Sequence, residues 1–155
     1  MKAMWSQYAA LPLRLGLGLF FLAWGLGKLT DLTATGELMA AAGFTPGAFW
    51  AALAGLVELV GGIGLLAGAL TRWVALGLAV ERLIALLVAH VFAPAAWAPT
   101  MGGPAFPLIV VAALVSLAMM GPQALALDTR LPALAALSGS GQEAYQARTQ
   151  EAKAA

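Results

Sequence analysis

Four apolar stretches, each long enough or nearly long enough to cross a hydrocarbon layer, dominate this chain and set its class. The first, at about 11–29, reads LPLRLGLGLFFLAWGLGKL; the second, at about 48–70, reads AFWAALAGLVELVGGIGLLAGAL. The third, 73–92, is WVALGLAVERLIALLVAHVF, and the fourth, near 104–120, contains AFPLIVVAALVSLAMM. A spanning helix needs about 20 mostly apolar residues, because the hydrocarbon core is about 30 Å thick and a helix rises 1.5 Å per residue. No stretch alternates apolar and polar residues, so strand and barrel readings fail. The expectation is an all-α protein, an integral membrane four-helix bundle over 1–137, with a polar C-terminal tail at 138–155.

Composition agrees. Of 155 residues 62% are hydrophobic and 10% charged, against about 25% charged in soluble domains, so a compact soluble globule would carry a largely apolar surface. A conventional soluble enzyme is excluded. The net charge of +1 gives no basic footprint for nucleic acid. With no cysteine, disulfides, thiolate catalysis, Fe–S ligation and cysteine-based zinc sites are excluded together.

The connections differ. TDLTATGELMAAAGFTPG joins the first two stretches, and its Leu38 to Ala42 portion is expected to form a short interfacial helix ended by Gly43. Only Thr71 and Arg72 separate the second and third, which predicts a tight antiparallel hairpin. Prolines and glycines break the chain before the fourth, and 122–137 is expected to lie at the interface.

Four spans put both termini on one side together with Lys2, Arg14, Arg72, Arg130, Arg148 and Lys153. Lys28 alone falls opposite, so the positive-inside rule makes both termini cytoplasmic, in a bacterial inner membrane. Trp5, Tyr8 and Trp73 fall at the inner boundary and Trp24, Trp50 and Trp97 near the outer one, where aromatic anchors belong. A cleaved signal peptide is disfavoured, since Arg14 interrupts the apolar run and no clean small-x-small site follows.

Three ionisable groups fall at mid-depth: Glu58, Glu81 and Arg82. Such groups cost at least about 2.5–3.5 kcal/mol to insert and therefore pair or serve a function. Helix rise puts Glu58 and Arg82 within reach of each other across the hairpin, with Glu81 competing or bridging. Two readings stand: a structural staple, or a carboxylate left over that handles protons. Arg14 and Lys28 are expected to snorkel to opposite interfaces as anchors, with Arg72. Gly18 and Gly25 on the first helix, and Gly55, Gly62, Gly64 and Gly68 on the second, form small-residue faces for close helix packing. His90, the sole histidine, is either a hydrogen-bonded interfacial residue or a quinone or proton contact; a bis-histidine haem within one chain is excluded. There is no metal-ligating acid cluster, P-loop, GxSxG or dinucleotide fingerprint, so no self-contained catalytic machinery is visible. The expected partners are the lipid bilayer, other membrane subunits or further copies of the chain.

In order along the chain, Arg14, Gly25-x-x-Lys28, Gly43 with Pro46, Glu58 with Gly61-Gly62, and Gly68-x-x-Thr71-Arg72 form a pattern. His90, then Gly103-Pro104-Ala105-Phe106-Pro107-Leu108, Gly121-Pro122 and Asp128 continue it. Over roughly residues 10–130 the chain resembles the DoxX family of small four-helix bacterial membrane proteins. The resemblance implies an accessory or anchor subunit of a quinone-linked oxidoreductase. The family takes its name from a subunit type of an archaeal thiosulfate:quinone oxidoreductase. It implies no cofactor held by this chain alone, and a quinone at most at a shared site. Alternatives are a structural or assembly subunit without a redox role and, third, a small transporter. The Glu81-Arg82 pair departs from the apolar stretch expected there and reads as an adaptation to a partner.

Overall fold

A computed structural model describes residues 8–88, 104–123, 125–131, 134 and 137. Among the described residues five α-helices follow one another: α1 (Ala10–Thr30), α2 (Leu32–Ala41), α3 (Gly47–Ala67), α4 (Thr71–Leu87) and α5 (Ala105–Met120). A short 3-10 turn, Leu127–Thr129, comes after them. The described residues contain no strand. α1 and α3 have the length and apolar character to cross a membrane, while the apolar α5 has 16 residues.

The partition of residues is inverted relative to a water-soluble protein. Leu19, Val60, Ile109 and Met119 are exposed, whereas Arg14, Glu58, Arg82 and Asp128 are at most 2% exposed. In the most apolar windows of α1 and α3, 33% and 28% of residues are buried inside the protein. Burying charge while leaving aliphatic side chains outside is stable where the surroundings are themselves apolar.

Glycine sets the closest packing. α1 runs antiparallel along α3, with Gly18 beside Gly62 and Gly25 beside Gly55. A Cβ on Gly25 would sit 2.6 Å from the backbone N of Leu59, and one on Gly62 would sit 2.7 Å from the backbone N of Leu22. Seven residues separate the two contacts on each helix, so the backbones touch over two turns, as small-residue faces allow. Gly36 of α2 and Gly47 at the start of α3 make a further backbone approach. α4 lies along α5, and Phe21, Leu65, Leu78, Leu114 and Leu117 fill the space between the two pairs.

Several sequence expectations are corrected here. α2 begins at Leu32 rather than Leu38, because the Asp31 side chain accepts the Ala34 N–H at 3.0 Å and caps the helix start. Thr71 and Arg72 belong to α4; the turn is Gly68–Leu70, with Gly68 in the left-handed region (φ 68°) closing α3. Gly68 is thus a helix terminator as well as a close-packed glycine, where a Cβ would lie 2.7 Å from that of Ala126, and the nearest neighbour of a Cβ on Gly64 is the Val74 side chain at 3.3 Å. The short turn fixes the ends of α3 and α4 together, but along their length they approach less closely than α1 and α3. Within the described part of 122–137, Ala126 and Asp128 are buried in the protein.

Candidate functional site

Two charged assemblies occupy the interior, one at mid-depth and one at the α3–α4 turn. At mid-depth, Glu58 of α3 is fully buried and bridges two cations. Its Oε2 accepts from Lys28 Nζ at 2.5 Å, and its Oε1 accepts from Arg82 Nη2. Glu81 stands beside them, its Oε2 3.3 Å from Arg82 Nη2. The Glu58–Arg82 contact anticipated from helix rise is formed. Lys28, however, turns inward and is 17% exposed instead of snorkelling to an interface. Two cations and two carboxylates make the group electrically neutral, which removes the Born cost that an unbalanced charge would carry at this depth.

Arg82 has aromatic support. Its guanidinium carbon lies 4.9 Å from the centroid of the Phe21 ring and 5.7 Å from that of Phe20. The ring faces thereby offset the desolvation of a cation whose Nε has no hydrogen-bond partner among the described residues. Phe21 lies on the α1 stripe of Arg14, Gly18, Gly25 and Lys28, at helical spacing. Helical spacing alone gives Phe21 no role; its role appears once α4 is seen to cross that stripe.

Glu81 differs from Glu58. Its Oε2 is buried without a hydrogen bond among the described residues, and its side chain keeps 19% of its surface. It lines a crevice of about 320 Å³ between α3 and α4, roofed by Met39 of α2 and by Phe44. Phe44 and Trp50, whose rings meet edge-on at 5.5 Å, give the crevice aromatic walls. The site thus sets a carboxylate that is ion-paired to Arg82 but holds no hydrogen bond among the described residues beside an apolar, ring-lined space.

The second assembly closes the helix ends. α3 terminates at Ala67, leaving carbonyls without intrahelical partners. Arg14 fills that need: its Nε donates to Leu65 O at 3.1 Å, and its Nη2 donates to Leu66 O and Leu125 O, each at 3.3 Å. Asp128 supplies the opposite end, accepting the N–H of Leu70 at 2.6 Å and of Thr71 at 2.8 Å at the start of α4. Its own N–H donates to Gly68 O at 3.0 Å. A cation at a helix C-terminus and an anion at an N-terminus both complement the helix dipoles. Arg14 is therefore a buried clamp and not the interfacial anchor expected of it. Arg72 likewise packs against the end of α5, where a Cβ on Gly121 would lie 2.6 Å from its Nε. Gln123 closes the start of α1 by accepting the Ala10 N–H at 2.8 Å.

Of the expected aromatic anchors, Trp24 and Trp73 are exposed and Trp50 is nearly as open. Trp24 packs edge-on to Phe20, and Trp73 donates its indole N–H to Leu137 O at 3.0 Å. His90, Trp5, Trp97 and the tail at 138–155 lie outside the described residues. Sequence reasoning assigned no role to Asp128 and left Lys28 out of the central group.

An inverted helical assembly with charge neutralised at its centre and aliphatic residues facing out defines a helical membrane protein. The DoxX family model matches residues 9–91, and the chain belongs to the DoxX family. That match covers Arg14, Lys28, Glu58, Glu81 and Arg82, while Asp128 lies beyond it. No curated protein and no solved structure matches the chain.

Proposed function

We propose that the protein is a small accessory or anchor subunit of a quinone-linked membrane oxidoreductase, with four spans and both termini cytoplasmic in a bacterial inner membrane. The observation that carries this reading is Glu81. A carboxylate that is ion-paired to Arg82 without a hydrogen bond among the described residues, and whose side chain lines an apolar crevice, is suited to contact a lipid-soluble redox carrier. Glu81, Phe44 and Trp50 would hold the ring of such a carrier. The carrier itself would supply electron transfer to a partner, since this chain's described residues offer only binding, orientation and an acceptor for a hydrogen bond.

One observation favours a second reading, that of a structural or assembly subunit without redox role. Glu58 is doubly paired, so most of the central charge is spent on joining α1, α3 and α4. The two are separated by gentle extraction of tagged protein, followed by quinone assay and mass spectrometry of the intact assembly. The accessory-subunit reading expects bound quinone and a co-purifying redox protein. A bare homo-oligomer carrying neither overturns it.

A further inference from the structure

We infer that the seam between α3 and α4 is a binding groove for a neutral lipophile with a hydroxyl head, a hydroquinone in its reduced form, with that hydroxyl on Glu81 and its tail running past Gly77. This rests on the quinone-linked reading above and adds the place, the orientation and the redox form.

Three observations converge on it. First, the crevice at Glu81 is not isolated. A second hollow of about 400 Å³ follows on the same seam, bounded by Val60, Val74 and Leu78, and the two share Val57 and Gly77 as walls. A cavity of about 150 Å³ is enough for a benzene ring, so the first space accommodates a substituted ring and the second a chain. Second, Gly77 is the point where they join, and a Cβ built there meets nothing within 4 Å. The other glycines on this seam, Gly61 and Gly64, are covered by Leu78 and Val74 at 2.8 Å and 3.3 Å.

Third, the charges select the head group. Lys28 and Arg82 balance Glu58 and Glu81, so a cationic amine seated on Glu81 would leave one uncompensated positive charge in an apolar surrounding. A neutral donor adds none. An oxidised quinone offers only carbonyl acceptors, and the one charged side chain on the described wall of the crevice is Glu81, itself an acceptor; Lys28 and Arg82 are not part of that wall. A hydroxyl donating to a carboxylate forms a charge-assisted hydrogen bond, about twice as strong as a neutral one.

The test uses the full chain in lipid nanodiscs, with empty nanodiscs as background. The probes are a hydroquinone bearing a ten-carbon tail, its oxidised quinone, its dimethyl ether and decylamine. The expected result is saturable binding of the hydroquinone about tenfold tighter than the quinone or the ether, and no tighter binding of decylamine. Gly77→Leu fills the groove and should weaken hydroquinone binding tenfold or more while thermal unfolding is unchanged. Val57→Phe, on the facing helix, should do the same and guards against a fold defect in either variant. Glu81→Gln keeps a weaker neutral acceptor and should reduce the preference for hydroquinone over ether to about threefold.

Absence of hydroquinone binding, equal binding of hydroquinone and ether, tighter binding of decylamine, or full binding by folded Gly77→Leu and Val57→Phe would each overturn the inference. The two proposals fail separately. If these variants behave as stated but the extracted protein carries no redox partner, the groove stands and the subunit reading falls. If quinone and a redox partner co-purify undiminished with Gly77→Leu, the subunit reading stands and the groove falls.

Discussion

Neutralising Glu58 should destabilise the protein more than removing Lys28, the more exposed of the two cations that it holds. Glu58→Gln leaves Lys28 and Arg82 facing each other with only Glu81 to balance them, in a site where Glu58 and Arg82 are at most 2% exposed. Stranding a buried charge costs about 3–5 kcal/mol. Lys28→Met removes a partner that is 17% exposed and leaves Glu58 bound to Arg82, so about 1–2 kcal/mol is expected once solvent screening is allowed for. At about 3 °C per kcal/mol for a chain of this length, the midpoint should fall by about 10 °C for Glu58→Gln and by about 5 °C for Lys28→Met. The double variant Glu58→Gln/Lys28→Met restores neutrality and should be less destabilised than the sum of the singles by 1 kcal/mol or more. The assay is thermal unfolding in mild detergent, followed by tryptophan fluorescence, with each variant measured beside wild type. Additive losses in the double variant, or a Lys28→Met loss equal to that of Glu58→Gln, would refute the charge-balance account.

Four further outcomes follow from the turn and from the glycine contacts. Asp128→Ala frees the N–H groups of Leu70 and Thr71 in a buried turn and should cost about 3 kcal/mol, read as a lower unfolding midpoint and faster amide exchange at 70–71. Arg14→Lys keeps the charge but cannot span the carbonyls of Leu65, Leu66 and Leu125 as the planar fork does, and about 1–3 kcal/mol of stability should be lost in the same melt. Gly25→Ala forces a methyl onto the backbone of Leu59 and should cost about 1–3 kcal/mol, whereas Gly16→Ala meets nothing within 4 Å and should stabilise α1 by up to about 1 kcal/mol.

Legibility in the sequence followed the range of the interaction. The stripe on α1 and the small-residue face on α3 were readable because helical spacing alone puts Gly18, Gly25, Gly55 and Gly62 on common faces. Helix rise across a short turn was enough to bring Glu58 to Arg82. The position of Lys28 was misread because snorkelling treats each helix in isolation; a buried acid on the neighbouring helix competes with the interface and wins. Asp128 was opaque for a different reason. Its partners are 57 and 58 residues away, and no local pattern reports that the left-handed Gly68 and Leu70 leave two donors needing an anion. The start of α2 was legible after all in Asp31, whose capping side chain is a standard helix-start signature. The α3–α4 groove was not, because it arises from how two helices diverge and not from what either contains.

The Asp128 clamp has a bearing on the order in which the molecule is made. A ribosome adds about 5–20 residues per second, so the α3–α4 hairpin emerges several seconds before the carboxylate that completes its turn. In that interval the N–H groups of Leu70 and Thr71 must be served by water or headgroups, which confines the young turn to the membrane surface. Only when 125–131 arrives do Arg14, from α1, and Asp128 close on one turn from both sides. Two parts of the fold made far apart in time are thus joined at the α3–α4 turn, and a nascent chain that stops short of Asp128 lacks the fastening of its middle.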